Sequence, residues 1–507
     1  SSDSYYDGFE TNSVETVSVK SLSFYDVTLD MSDVNYNTED GTVTILSRET
    51  DSSPDEQSGL YFWDIQKINE TKLVIQDTDV DHYFVYDAGS SATADNLDGR
   101  YQDTVSLTVS EMRGRSSNSE RNNWYSDIDT PNQSSITDED RGTIEHAPLV
   151  RLANTTNSDQ MIRSYVDNVE LESAVGDGVS PTVKNTMALE VGEDLDTLTI
   201  TGSADLEIVN VLDENIRLID ARNHADGSSD SRADLILNLS NSSDGDWYKD
   251  QNAFWTDDVN LDGYVSADNE EYSRQGKVDT VVLFGSQGDD LITFGTTHND
   301  KSINLGTGND TLIAGWGDAS IDAGAGHDVM TVGMHNDSVN AGTGDDRIVD
   351  LGSTERYKMG PDGARYNPEY PIANTGNWYD LGDGHDTLEV MANPAYTNYD
   401  VRGGVAGSND TVTAGTGNDM VMIHGSALDG NATQPGFQRV DTIVDLGTGD
   451  DYLTVGDAYF NEDADAYEWD GDRGNVSVNG GDGNDFIGIA RDGDQTVVAG
   501  KGDDWVE

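Results

Sequence analysis

The sequence predicts an all-β chain whose C-terminal half winds as a parallel β-roll, preceded by β-rich segments that read as a sandwich or a solenoid. Three observations carry this. Helical periodicity is weak, while apolar runs of four to seven residues are bounded by Gly, Asp, Asn and Ser. Proline is scarce (9) and glycine abundant (53) among 507 residues. From about residue 276 onward, a nine-residue unit recurs in phase.

Charge bounds the function. The chain carries 97 Asp plus Glu against 28 Lys plus Arg, a formal net charge of −69, and 35% hydrophobic residues. A nucleic-acid backbone and an anionic membrane surface are repelled by such a field. No run of about 18 apolar residues exists to span a bilayer. Cysteine is absent, which removes disulfides and thiol chemistry. Low hydrophobicity with high charge ordinarily signals disorder. Here the acids follow a period, so the composition reads instead as a cation-binding protein whose fold is conditional on the cation.

Four regions are expected. Residues 1–159 are β-rich with irregular spacing, and residues 160–245 hold strand-like segments recurring mostly every eight to eleven residues. Residues 246–275 form a linker with an acidic loop, and residues 276–507 hold the repeats. Interruptions at about 352–377 and 423–440 contain aromatics, prolines and charge and read as inserted loops. Ser1–Glu10 is polar and acidic, the chain begins without Met, and Glu507 closes a repeat unit. A fragment or processed core of a longer protein is therefore expected.

Residues 305–349 read in nines as LGTGNDTLI, AGWGDASID, AGAGHDVMT, VGMHNDSVN and AGTGDDRIV. Position two is always glycine, position eight always a large aliphatic, and position six aspartate in four of the five. The unit returns at 381–389, 414–422, 446–454, 480–488 and 499–507, with weaker copies at 405–413 and 471–479. Each nine divides into a six-residue turn and a three-residue strand. Glycine permits positive φ, so turn carbonyls can point inward, and aspartate adds a carboxylate. Two nines make one coil. Stacked turns then offer oxygens to a shared ion, and flexible all-oxygen ligation suits Ca²⁺.

The expected ligand positions are the glycines at two and four and the aspartates at six. These are Gly306, Gly308 and Asp310; Gly324, Gly326 and Asp328; Gly342, Gly344 and Asp346; Gly382, Gly384 and Asp386; Gly415, Gly417 and Asp419; Gly447, Gly449 and Asp451; Gly481, Gly483 and Asp485; and Gly500, Gly502 and Asp504. Asp290, Asp318, Asp337 and Asp410 join them from less regular copies. Alternate nines share a side, so Asp310, Asp328 and Asp346 should line one edge. The other edge has Ala319 for aspartate and His335 for glycine, and weaker or missing sites are expected there. A separate calcium loop is read at Asp258–Asn269, with Asp258, Asn260 and Asp262 at positions one, three and five and Gly263 at six. Position twelve is Asn269 where an acid is usual.

The nonapeptide resembles the repeat of RTX proteins, G-G-x-G-x-D-x-U-x, over roughly the last 230 residues. Upstream, Val169-Glu170-Leu171, Leu198–Gly202, Ala204-Asp205-Leu206 and Ile219-Asp220-Ala221 resemble phrases of calcium-dependent bacterial S-layer proteins exported by type I secretion. Gly8-Phe9-Glu10 and Val14–Val17 echo the first of them. Related phrases occur in large RTX adhesins. The resemblance implies a secreted, cell-surface structural protein that self-assembles with multiple Ca²⁺, or an extender or ligand-binding region of an adhesin. The implied partners are neighbouring copies, with a cell-surface glycan or lipopolysaccharide as a further candidate. No enzyme is expected: the sequence has no H-E-x-x-H pair, no G-x-S-x-G elbow and no thiol. His327 and His385, at position five of their units, read as structural.

Overall fold

The computed structural model describes residues 4–6, 16–21, 27–30, 43–49, 59–65, 71–78, 81–86, 104–112, 147–155, 161–163, 166–176, 184–191, 195–212, 216–224, 233–239, 280–294, 300–315, 318–333, 336–350, 358–359, 365–366, 377–390, 410–423, 442–456, 458–461, 466–469, 475–489 and 494–507. Among them every regular element is a strand. The loop Asp258–Asn269, with Asp258, Asn260 and Asp262, lies outside the described residues, as does His335. The chain divides into two compact units, Ser1–Gly263 with Val281–Ile292, and Tyr264–Thr280 with Thr293–Glu507.

In the first unit successive strands alternate between two sheets. One contains Thr16–Ser21, Val43–Glu49, Thr71–Thr78, Thr104–Met112, Asn168–Ala174, Thr197–Gly202, Leu218–His224 and Val281–Phe284, each parallel to the next. The other runs from Ser4–Tyr6 through Val27–Asp30, Gly59–Ile65, Asp81–Tyr86, Leu149–Thr155, Asn185–Glu190 and Leu206–Val211 to Leu235–Asn238, also parallel. Met161–Arg163 is the exception, folding back antiparallel on Leu149–Thr155. Of the two architectures that the spacing left open, this is the solenoid. Equivalent side chains stack rung on rung at about 4.8 Å. Val105, Val169, Leu198, Ile219 and Leu283 form one such buried row. Phe62 and Phe84 stack in another, with ring centroids 5.1 Å apart.

The second unit repeats this plan with shorter strands. One sheet holds Lys301–Asn304, Ala319–Asp322, Ser338–Asn340, Trp378–Asp380, Thr411–Thr413, Thr442–Asp445, Val476–Asn479 and Gln495–Val498. The facing sheet holds Thr311–Gly315, Val329–Val332, Arg347–Asp350, Thr387–Val390, Met420–Ile423, Tyr452–Val455, Phe486–Ile489 and Trp505–Val506. The position-eight aliphatics make the thin core between them. Leu312, Met330, Ile348, Leu388, Val421, Leu453 and Ile487 are fully buried in one continuous row.

The two edges of the second unit differ. From the first sheet to the facing sheet the chain always turns in six residues: 305–310, 323–328, 341–346, 381–386, 414–419, 446–451, 480–485 and 499–504. Every insertion falls on the return path, at 351–377, 391–410, 424–441 and 456–475. Antiparallel hairpins, Lys358–Met359 with Arg365–Tyr366 and Ala458–Asn461 with Ala466–Trp469, lie within two of these insertions. The interruptions read at about 352–377 and 423–440 fall mostly outside the described residues, Ile423 itself ending the strand Met420–Ile423, and the sequence reading passed over 391–410 and 456–475.

The short edge is regular because its turns are bonded to one another. An unbroken series of parallel bridges runs Thr307, Ala325, Thr343, Asp383, Thr416, Thr448, Asp482 and Lys501. This contact leaves no room for side chains at the turn glycines. Gly417 has φ +133°, and a Cβ there would lie 1.4 Å from the carbonyl oxygen of Gly384. By contrast, a Cβ on Gly488 first meets the Phe486 ring at 3.3 Å, a neighbour that can give way. Gly417→Ala is therefore expected to destabilise the unit by at least about 2 kcal/mol. Gly488→Ala should cost under about 1 kcal/mol, with urea unfolding of the two variants as the measurement.

Candidate metal centre

Position six of the short edge forms a single row: Asp310, Asp328, Asp346, Asp386, Asp419, Asp451, Asp485 and Asp504. The backbone N–H of each of the first seven donates to Oδ1 of the next, at 2.7, 2.7, 2.7, 2.9, 2.8, 3.1 and 3.1 Å. Asp310 through Asp485 are 0–3% exposed. One carboxylate oxygen thus ties each coil to the coil before it. The other, Oδ2, is buried without a hydrogen-bond partner in Asp346, Asp386, Asp419, Asp451 and Asp485.

A second row lies outside the first, at position five, and runs in the opposite sense. Asn309 Oδ1 accepts the N–H of His327, His327 Nδ1 that of Asp345, and Asp345 Oδ1 that of His385. His385 Nδ1, Asn418, Asp450 and Asn484 continue it to the N–H of Asp503. Each turn is thereby held from both sides. In both His327 and His385 the Nδ1 atom is the acceptor of a backbone N–H hydrogen bond. Their role is to grip backbone.

The inner row needs a cation. Burial raises the carboxyls of Asp346, Asp419 and Asp451 to about 6 and that of Asp386 to about 7, only partly offset by the amide bond each accepts. Asp485 shifts upward for the same reason. A buried anionic oxygen with no donor is costly unless an ion supplies the missing charge. The donors at hand are all oxygen, carboxylate Oδ2 together with turn carbonyls, which is what Ca²⁺ prefers. Among the described residues no three His, Asp or Glu side chains converge on one point. The arrangement agrees with that, since each site would draw on the carboxylates of adjacent coils and on backbone oxygens. The residues present fit calcium, and Asp346, Asp386, Asp419, Asp451 and Asp485 would hold it.

Four sequence-predicted ligands sit differently. Asp290, in the first unit, has both oxygens engaged. Oδ2 accepts Ser286 N–H at 2.7 Å, while Oδ1 accepts Leu235 N–H at 3.1 Å and the Ser286 hydroxyl at 2.5 Å. Serine stands where the regular turn is open, so this carboxylate closes a hydrogen-bonded turn. Asp318 does not replace the aspartate missing at 319. It is exposed and belongs to an outer row, donating from N–H to Asp300 and accepting from Asn336. Asp337 and Asp410 occupy position six of the long edge, in the row Lys301, Ala319, Asp337, Asn377, Asp410. There the N–H groups of Ala319, Asp337 and Asn377 donate to the side chain of the next member at 3.0, 2.9 and 3.2 Å. Thr442, Val476 and Gln495 then end the carboxylates on that side.

Sequence reasoning missed a polar cluster in the core beside this edge. Asp350 is fully buried at a site where Val332 and Val390 stand on the flanking strands. Tyr379, between Val339 and Val412, donates its hydroxyl to Asp350. Asn377 Nδ2 donates to the same Asp350 oxygen at 2.7 Å. Asparagine at this rung supplies a donor where a second carboxylate would repel Asp350. The available signal was a pair of pattern breaks, an acid at an apolar position and a tyrosine at an aliphatic one.

Comparison with known proteins identifies the repeat. Residues 302–330, 315–348 and 406–422 match the family model for the RTX calcium-binding nonapeptide repeat (4 copies). No curated protein and no solved structure matches significantly. The chain thus carries RTX repeats, and such repeats bind multiple Ca²⁺ ions.

Asp386→Asn keeps an oxygen for the Asp346 amide but loses the charge, so Ca²⁺ affinity should fall about ten-fold or more while β content at saturating calcium is retained. Asp345→Asn, in the exposed outer row, should change affinity less than about two-fold, with isothermal titration as the measurement. The pH dependence has a defined sign. These acids bind protons more tightly folded than unfolded, so the metal-free unit is most stable below the ordinary carboxyl range. It loses that stability as pH rises through about 6 to 7. Calcium competes with those protons. Affinity should therefore rise from pH 5 to pH 8, with proton release visible as a buffer-dependent binding enthalpy.

Proposed function

We propose that the protein is an extracellular structural subunit, of a surface layer or sheath, that folds and assembles on meeting Ca²⁺ outside the cell. The observation that carries this is the continuous row of buried carboxylates, each with one oxygen committed to backbone and one left for a cation. Without the ion the row opposes its own folding, and with it the same row holds the coils together. Ligand binding only to the folded state supplies folding free energy. Extracellular sites of about 10⁻⁴–10⁻³ M stay empty in a cell interior and fill outside it. The self-repelling, metal-free chain suits export.

Self-assembly draws support from the outer surface. Met420, Tyr452, Phe486 and Trp505 occupy one row on four adjacent strands, and Met420, Tyr452 and Trp505 are 42%, 39% and 64% exposed. The Tyr452 and Phe486 rings stack at 4.9 Å, which makes the strip continuous. An apolar strip on so acidic a chain suits contact with a second copy. If about ten sites fill, about −50 of the formal −69 remains, enough for further calcium bridges between subunits. No catalytic role is assigned.

The 507-residue chain brought to about 1–10 mM Ca²⁺ is expected to give ordered sheets or filaments in electron micrographs. A soluble monomer that still gains β signal in circular dichroism would sink the layer reading and favour an extender of a large adhesin. Turnover of a polysaccharide or peptide substrate would reinstate an enzyme.

A further inference from the structure

The long edge of the second unit begins with an anomaly. Its position-six row opens with Lys301, then Ala319, then Asp337: a long cation, a small residue and an acid on three successive rungs. All three are buried, at 2%, 4% and 3% exposure. A lysine is rarely so enclosed without a partner charge. Asp337 Oδ1 accepts the Ala319 N–H, and its Oδ2 is buried with no hydrogen-bond partner, as in the calcium row of the other edge. Burial disfavours the charge of Lys301, and the carboxylates of Asp337, Asp300 and Asp318 act against that to favour the ammonium. Its ammonium also lies 5.5 Å from the centroid of the buried Phe294 ring, which favours a cation. Alanine at 319 leaves space at the rung between lysine and acid, where the other edge carries a carboxylate.

We propose that Lys301 supplies from within the chain the positive charge that calcium supplies along the short edge, and that this rung of the long edge takes no ion. The protein thus tethers its own counter-ion to Asp337. The strand Ala319–Asp322 stays paired at calcium levels too low to fill the aspartate row. Coils that bind calcium then have a metal-independent rung on which to stack. The assignment rests on calcium binding by the repeats and goes beyond it, since it names a rung that calcium does not occupy.

Variants of the 507-residue chain test both parts. Ions per chain are counted by native mass spectrometry at saturating calcium. Ala319→Asp alone should bind the same number as the parent, because the ammonium still fills the rung. Ala319→Asp combined with Lys301→Ala should bind one ion more. An extra ion in the single variant, or none in the double, overturns the assignment. Hydrogen exchange of the Ala319–Asp322 amides is then followed at low calcium. Lys301→Met should exchange about ten-fold faster than the parent, and Lys301→Arg should restore protection. Equal exchange in the parent and Lys301→Met overturns the claim that the ammonium holds the strand. Should the repeats not bind calcium at all, the parent itself would carry no ions, a result distinct from every outcome above.

Discussion

Each carboxylate in the short-edge row is divided between two tasks. Oδ1 takes the amide of the preceding coil, and in five consecutive members Oδ2 is left buried without a partner. The first task orders the stack geometrically, while the second makes that order expensive unless a cation arrives. Neither works alone. An asparagine row could hold coils together by hydrogen bonds without needing metal, and a solvated acidic row could bind metal without holding coils. Joining them in one side chain makes assembly of the coils and capture of the ion the same event.

This constraint explains which parts of the second unit vary. The row works only if successive turns sit in register, and the turns bond directly through their own backbone. Their eight six-residue lengths are therefore uniform, and the glycines that permit such close approach cannot be exchanged. The long edge has no such row to preserve. Its carboxylates begin only at Asp337, are interrupted by Asn377 and cease after Asp410, and it accepts four insertions. The same freedom admits a lysine at Lys301 and a polar core cluster around Asp350. Metal dependence and tolerance of insertion thus divide between the two sides of one winding.

How much of this was legible depended on whether neighbours in space were periodic in sequence. The phase of the nonapeptide alone put Asp310, Asp328 and Asp346 on one edge, and the hydrogen bonds between them show that placement. The first unit has the same two-sheet parallel winding, but its connections vary in length. A row such as Val105, Val169, Leu198, Ile219 and Leu283 is invisible until the coils are wound, and the spacing fitted a sandwich equally well. Lys301 was hidden for a related reason. Read along the chain it is a lysine in a polar segment, and its meaning comes from Ala319 and Asp337, 18 and 36 residues later. Asp318 misled in the opposite direction, since adjacency to the vacant position suggested a substitute while register assigns it to the outer row.

The formal charge of −69 takes its physical meaning from these placements. Acids spread over a solvated surface repel weakly, because water and salt screen them. Acids stacked on adjacent rungs and shielded from water are different, as the upward-shifted carboxyls show. Folding without metal concentrates charge that the unfolded chain keeps apart, so metal-free folding carries an electrostatic cost that bound ions remove. Each ion then removes repulsion at its own site and between the coils it joins, which makes the neighbouring rung easier to close. Cooperative folding follows from stacking like charges in register, and the free calcium concentration decides how far that folding proceeds.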